Sequence, residues 1–285
     1  MKISLFVVLL IAFSQPVFAG LVVKAAVAQD VLEYYNKYLK GRDPLTIDSF
    51  KDPGARRDIV ELILFQQALS IGGLKSRVEF VGSPSYTRTV MELKSGSILA
   101  TGNTIWSQDL EGADNLWSSP STVRPGDFVA GLYGKPDSIA KFKKMEIGKI
   151  KKLNIVTSSV WKSDYKALTD AGFKNILDVQ HWPLMVRMVG NGRADLMLSS
   201  FRSTDDLSFT DEDIKLVPLP GYKVALAGGR VWSFNKDFPQ SNQVIQAFRK
   251  GYKNLEDRGT IRRAYKECGF FNERVKDWKF VRAGS

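Results

Sequence analysis

Between Pro53-Gly54 and Gly72-Gly73 the apolar residues Ile59, Ile63, Leu64 and Ala68 recur at helical spacing, so this stretch is read as the strongest helix of the chain. The period then changes to two. In Arg77-Val78-Glu79-Phe80-Val81 the apolar Val78 and Phe80 alternate with charged neighbours, which predicts a half-buried strand. A helix follows from Ser83-Pro84-Ser85 through Val90, Met91 and Leu93 to Ser95-Gly96, and then a strand over Ile98 to Asn103. Upstream, a short amphipathic helix is expected from Asp30 to Gly41, and a strand over Leu45-Thr46-Ile47 after the Asp43-Pro44 turn.

The same alternation restarts further along. Asp127 to Tyr133 is extended, Leu153 to Val156 a strand, and Ser158 to Ala171 a serine-capped helix. Ile176 to Val179 and Asp195 to Leu198 are strands, separated by a helix from Pro183 to Gly192. Tyr222 to Ala227 reads as a return strand, and Asn242 to Leu255 and Thr260 to Cys268 as two closing helices. Strand and helix alternating in two blocks argue an α/β fold of two lobes joined by two crossing hinge strands, near Phe128 to Tyr133 and Tyr222 to Ala227. The division expected is 1–19 as a leader, 20–130 plus 226–285 as the first lobe, and 131–225 as the second.

The leader rests on Lys2, the apolar run Ser4 to Phe13 and the small-residue ending Val17-Phe18-Ala19, which together form a secretory signal. Ala26-Val27-Ala28 is a second possible cut, with Lys24 interrupting the approach to it. Export implies a periplasmic location. No cysteine follows the cut, so a lipid anchor of the lipoprotein type is not expected, and no later stretch is long and apolar enough to span a bilayer.

Composition narrows the chemistry. One cysteine, Cys268, forbids an internal disulfide and is expected to be buried as a small apolar residue. One histidine, His181, leaves no cluster for zinc and a single imidazole for any nucleophilic pairing, so it is read as a loop residue, with no metal, cofactor or catalytic group expected. The formal charge is +11, one unit less without Lys2, and the lysines are spread out rather than blocked. Anionic envelope partners fit this better than nucleic acid. Lys141 to Lys152 is read as a solvated basic face or a docking patch.

Several short segments resemble the periplasmic solute-binding proteins with two α/β lobes, in their smaller, amino-acid-binding (family 3) branch. These are Met91-Glu92-Leu93-Lys94-Ser95-Gly96, Gly192-Arg193-Ala194-Asp195 and Leu116-Trp117-Ser118-Ser119-Pro120, the last with Trp117 in place of phenylalanine. The resemblance covers roughly Leu45 to the C-terminus. It implies a monomeric, non-enzymatic protein that closes around a small polar molecule and presents it to an ABC-type permease or a sensor receptor. Two departures bear on the ligand. The arginine that clasps a ligand carboxylate in the family falls on Asp109 here, and the acid that holds the ligand ammonium falls on Ser199-Ser200.

Ligand contacts are therefore expected elsewhere. Trp106, Trp117 and Trp161, three of six tryptophans, are placed by the resemblance on cleft loops, with Ser118 beside them. Ser158 and Ser159 are expected to open a helix whose N-terminus suits an anion. Ser199 stands at the position of the family acid, Arg202 follows it as a replacement charge, and Arg88 resembles a cleft-rim arginine of a variant branch. Each has a plainer alternative in core packing, simple capping or a solvated side chain. Two other functions stay open: a degenerate envelope-interaction protein, and a lyase or hydrolase with Asp109 or Glu111 as acid or base.

Overall fold

The computed structural model describes residues 20–283; the leader expected over 1–19 lies outside them. In chain order the first block holds β1 (Leu21–Ala28), α1 (Gln29–Leu39), α2 (Arg57–Ile71), β2 (Ser76–Ser83), α3 (Tyr86–Lys94), β3 (Ala100–Thr101), β4 (Ile105–Trp106) and β5 (Leu116–Ser118). The second holds β6 (Val129–Gly134), α4 (Pro136–Phe142), α5 (Ile147–Ile150), β7 (Asn154–Thr157), α6 (Lys162–Ala171), β8 (Asn175–Asp178) and α7 (Trp182–Gly190). It continues with β9 (Leu196–Ser200), β10 (Phe209–Asp211), β11 (Ile214–Pro218) and β12 (Tyr222–Ala225). The chain then closes with β13 (Arg230–Val231), β14 (Ser233–Asn235), α8 (Ser241–Asp257), α9 (Thr260–Glu267) and β15 (Lys279–Phe280).

Two sheets result. The first has the order β2-β1-β3-β14-β5, with β1 parallel to β2 and β3. The second runs β10-β11-β6-β9-β7-β8, with β7 parallel to both β8 and β9, and β12 joining antiparallel to β6. The chain passes from one sheet to the other through β6 and back through β12, so the two crossing strands lie side by side, Val224 facing Ala130 and Ala225 facing Val129. The C-terminal segment also reaches the second sheet, where β15 pairs with β12. Asn272 and Arg274 anchor that segment by donating to backbone carbonyls of residues 202–205. Among the described residues no helix is long and apolar enough to cross a membrane.

Burial explains the first sheet. α2 is apolar almost all round, with Ile59, Leu62, Ile63, Leu64 and Phe65 all at most 1% exposed, because it lies between the sheet and α8. Strand β1 has no counterpart in the pattern read from sequence. Val23, Ala25, Ala26 and Val27 are fully buried in it, since it is the central strand with β2 on one side and β3 on the other. The strand expected over Leu45 to Ile47 is instead a 3-10 turn, Pro44–Thr46: Pro44 presets the first helical φ and Asp43 accepts from the Leu45 amide. The helix expected from Ser158 starts at Lys162, so Ser158 and Ser159 lie in the turn before it and do not cap it. Cys268 is 1% exposed, and burial pushes its thiol up to about 12. Within Lys141 to Lys152 the lysines are exposed except Lys151, whose Nζ donates to the Arg282 carbonyl at 2.6 Å.

Candidate functional site

Parallel strands of an α/β sheet leave a crevice beyond their carboxyl ends. Here six such ends converge. Ala28 after β1, Pro84 and Ser85 after β2, and Asn103 after β3 line one cleft from the first lobe. Trp161 after β7, Gln180 and His181 after β8, and Ser199, Ser200 and Arg202 at the end of β9 line it from the second. The cavity measures about 200 Å³ and also takes Phe128 and Ala130 at the crossing strand β6.

The floor on the first lobe is a charge network. Glu61, fully buried on α2, accepts from Arg57 Nη1 at 2.8 Å, from the Thr104 amide at 3.0 Å, from Thr104 Oγ1 at 2.7 Å and from Tyr265 Oη at 2.8 Å. Thr104 reaches Glu61 because Gly102 lets the chain lie against α2: a Cβ at 102 would stand 2.6 to 2.8 Å from Val27, Phe80 and Leu62. Arg57 stays charged despite burial, because Glu61 and Asp58 outweigh the desolvation. Arg56 forms a bidentate pair with Asp58, at 2.7 and 2.8 Å. Burial opposes ionisation of Asp58, but Arg56 overrides it and holds the carboxyl well below the usual range.

Arg230 enters from β13, opposite Trp106 of β4 in the ladder. Its guanidinium lies 4.7 Å from the Trp106 ring centroid, which stacks in turn on Phe128 at 5.4 Å. On the second-lobe side, Asp164 on the first turn of α6 lines the cavity and, among the described residues, has no side-chain partner or ion pair. Burial pushes its carboxyl up to about 6, against the pull of Arg230 and Arg57. Asp30 on α1 behaves alike: burial raises its pKa, Arg56 opposes and Asp58 adds to the rise.

The lobes also touch beside the cleft. Tyr34 of α1 donates to Asp211 of β10 and packs edge-on against Trp182 at 5.9 Å. The Arg56 guanidinium lies between them, 4.5 Å from the Tyr34 ring and 5.0 Å from that of Trp182. On the other side Gln108 donates to Ser163 at 2.8 Å.

Of the residues singled out from sequence, Trp106, Trp161, Ser199 and Arg202 line the cavity. Arg88, Trp117, Ser118, Ser158 and Ser159 do not. Arg88 is exposed and pairs with Glu92 on its own helix at 2.8 Å. Trp117 packs on Phe234 and Phe248 under Arg249, and Ser118 donates to Ser233. Ser159 is tied through its amide and hydroxyl to Asp178, at 2.8 and 2.6 Å, while Ser158 Oγ is buried without a partner. Asp109, at the family arginine position, accepts from Tyr86 Oη at 2.7 Å outside the cavity. The cleft nevertheless has guanidinium and carboxyl groups on its walls, from Arg57, Arg230 and Asp164, which the motifs did not mark. The one local hint is Gly228-Gly229 just before Arg230, a flexible joint directly after a crossing strand.

No protein-family model matches the sequence, and no curated protein matches it. Solved structures do match the fold. The probable amino-acid ABC transporter extracellular-binding protein ytmK of Bacillus subtilis superposes with a TM-score of 0.55 at 15% identity, over 88% of this chain and 99% of that one. A periplasmic His/Glu/Gln/Arg/opine family-binding protein of Silicibacter pomeroyi, in complex with lysine, gives 0.53 at 13%, over 88% and 98%. The periplasmic VFT2 domain of BvgS from Bordetella pertussis gives 0.52 at 13%, over 90% and 93%. The chain therefore has the two-lobed α/β fold shared by these periplasmic binding proteins.

Proposed function

We propose that this is an exported solute-binding protein that closes its two lobes around one small polar molecule and releases it when they part. The observation that carries this reading is a cleft walled by both lobes beside the crossing strand β6, which pairs with the second crossing strand β12. A molecule touching Arg230 and Trp106 on one side and Trp161, Asp164 and Arg202 on the other favours the closed arrangement through contacts that an open one lacks. The leader at 1–19 directs it to the periplasm, where as a monomer it offers the closed form to a permease or a sensor receptor. Both partners suit the same physics, and the neighbours include a probable amino-acid ABC transporter extracellular-binding protein and a periplasmic VFT2 domain.

A thermal-shift screen of amino acids, organic acids, sugars and polyamines tests it. A specific ligand raises the melting temperature by mass action, and small-angle scattering with that ligand should give a smaller radius of gyration. A full panel with no shift and no compaction sinks the reading.

A further inference from the structure

Two arginines of the cleft lack a counter-charge in direct contact. Arg202 is 7% exposed and Arg230 5%. Among the described residues neither comes within 4.0 Å of a carboxylate, in contrast to Arg56 with Asp58 and Arg57 with Glu61. Their partners are neutral. Arg230 donates to Thr104 Oγ1 at 3.1 Å and to the Thr104 carbonyl, leaving Nη1 unbonded. Arg202 donates to the Ser200 carbonyl at 2.9 Å and weakly to Ser199 Oγ at 3.4 Å, leaving Nε unbonded. Burial pushes both pKa values down, with Arg57 adding to the effect at Arg230 and Arg56 at Arg202.

A guanidinium does not escape this cost by losing its proton, whereas a carboxylic acid does by gaining one. Asp30 and Asp164 are the unpaired acids of the cleft, and burial moves both toward the neutral form. Once they are neutral, what remains unmatched is two fixed cations, one from each lobe. A protonated Asp164 is also a hydrogen-bond donor suited to an anionic ligand.

Resting on the binding reading above, we propose that the ligand is a small dianion, a dicarboxylate, whose two ends are held by Arg230 of the first lobe and Arg202 of the second. The size agrees. A cavity of about 150 Å³ holds benzene, so the one here, about 200 Å³, admits a dicarboxylate the size of succinate. Each end of such a ligand forms paired, charge-assisted hydrogen bonds with a planar guanidinium, and the molecule ties the lobes together.

The test is calorimetric titration and thermal shift of the purified protein at pH 5.5, below the Asp164 value of about 6, with succinate, ethane-1,2-disulfonate, acetate, inorganic phosphate and L-alanine. Succinate and the disulfonate should bind, with acetate and phosphate at least about tenfold weaker. Arg202→Gln and Arg230→Gln should each weaken succinate by about tenfold or more, with circular dichroism showing the fold retained and Arg202→Lys recovering part of the loss. Asp164→Asn, which mimics the neutral acid, should keep or improve succinate binding. Preference for L-alanine, with Asp164→Asn abolishing it, would overturn the dianion and leave the solute-binding reading standing. Failure of every compound here and in the wider screen would overturn both.

Discussion

The two walls of the cleft are built differently. On the α2 floor of the first lobe the charges are answered within the protein: Glu61 receives four donor groups, and Arg56 is locked to Asp58 through two bonds, with Arg230 and Asp30 the exceptions on that lobe. On the second, among the described residues, Asp164 has no side-chain partner and Arg202 has only neutral acceptors, and behind that wall Ser158 Oγ has none. A saturated wall holds its geometry whatever occupies the cleft, and residual bonding capacity on the other wall is what a ligand can complete. The α2 network thus resembles a finished platform, while Arg230 above it and Asp164 and Arg202 of the second lobe keep polar groups that a third party can complete.

The largest effect expected from this contrast is at Glu61. Glu61→Ala leaves Arg57 as a buried, uncompensated cation and orphans the Thr104 amide and the Tyr265 hydroxyl, so urea unfolding should show a loss of about 3–5 kcal/mol. A loss below about 1 kcal/mol would break the comparison, because the network would then not bear the first lobe's stability.

Next is Asp164, which sharpens the contrast through pH. Its folded pKa of about 6 stands above the 3.8 of a free aspartate, so the folded state holds the extra proton between those values. Its contribution is fully present below about 3.8 and is lost as pH rises through 6. At pH 8 Asp164→Asn should therefore stabilise the ligand-free protein, by about 1–2 kcal/mol after discounting for the partial exposure of the carboxyl. The gain should vanish near pH 4. Equal stability of the two proteins at pH 8 would mean that Arg230 and Arg57 already neutralise the acid, and the second wall would be as saturated as the first.

How much of this the sequence carries depends on how local each feature is. The helices α2, α6, α7 and α8 are written in apolar periodicity, and two blocks of strand and helix suffice for a two-lobed α/β fold. β1 escaped because Lys24 breaks its apolar run and it lies beside the leader; in the fold Lys24 points outward, near Glu79 at 4.0 Å. The ionic groups of the cleft are the least legible. Arg230 faces Trp106 only because β13 pairs with β4 across more than a hundred residues, and Arg57 with Thr104 depends on the passage of Gly102 under α2. Trp106 and Trp161 could be placed because each closely follows a parallel strand, β3 and β7, although Trp106 itself falls in the two-residue β4. Trp117 lies within a strand, β5, and packs on Phe234 and Phe248 instead.

A smaller effect is expected where the lobes meet directly. Tyr34→Phe removes the hydroxyl donated to Asp211 but keeps the ring against Trp182 and Arg56. A hydrogen bond to a charged group contributes about 1.5 kcal/mol or somewhat more. The bond joins α1 of the first lobe to β10 of the second, so on the proposed hinge-closure reading the variant should bind its ligand roughly tenfold more weakly while its ligand contacts stay intact. An unchanged affinity would show that the cleft contacts alone set the closure.

The smallest effect is at two adjacent serines that separate bonded from unbonded polarity on the same turn. Ser159 satisfies its amide and hydroxyl on Asp178, and those bonds hold that carboxyl below its usual range. Ser159→Ala removes one of them at an exposed site and should cost about 0.5–1 kcal/mol. Ser158 is fully buried and its hydroxyl has no partner. Ser158→Ala removes a desolvated, unsatisfied group and should be neutral or slightly stabilising, within about 0.5 kcal/mol. Denaturant midpoints of the two variants, measured together, give the sign. If Ser158→Ala proved the costlier, the hydroxyl would be bonded after all, and the second lobe would hold less unmet bonding capacity than the contrast between the lobes requires.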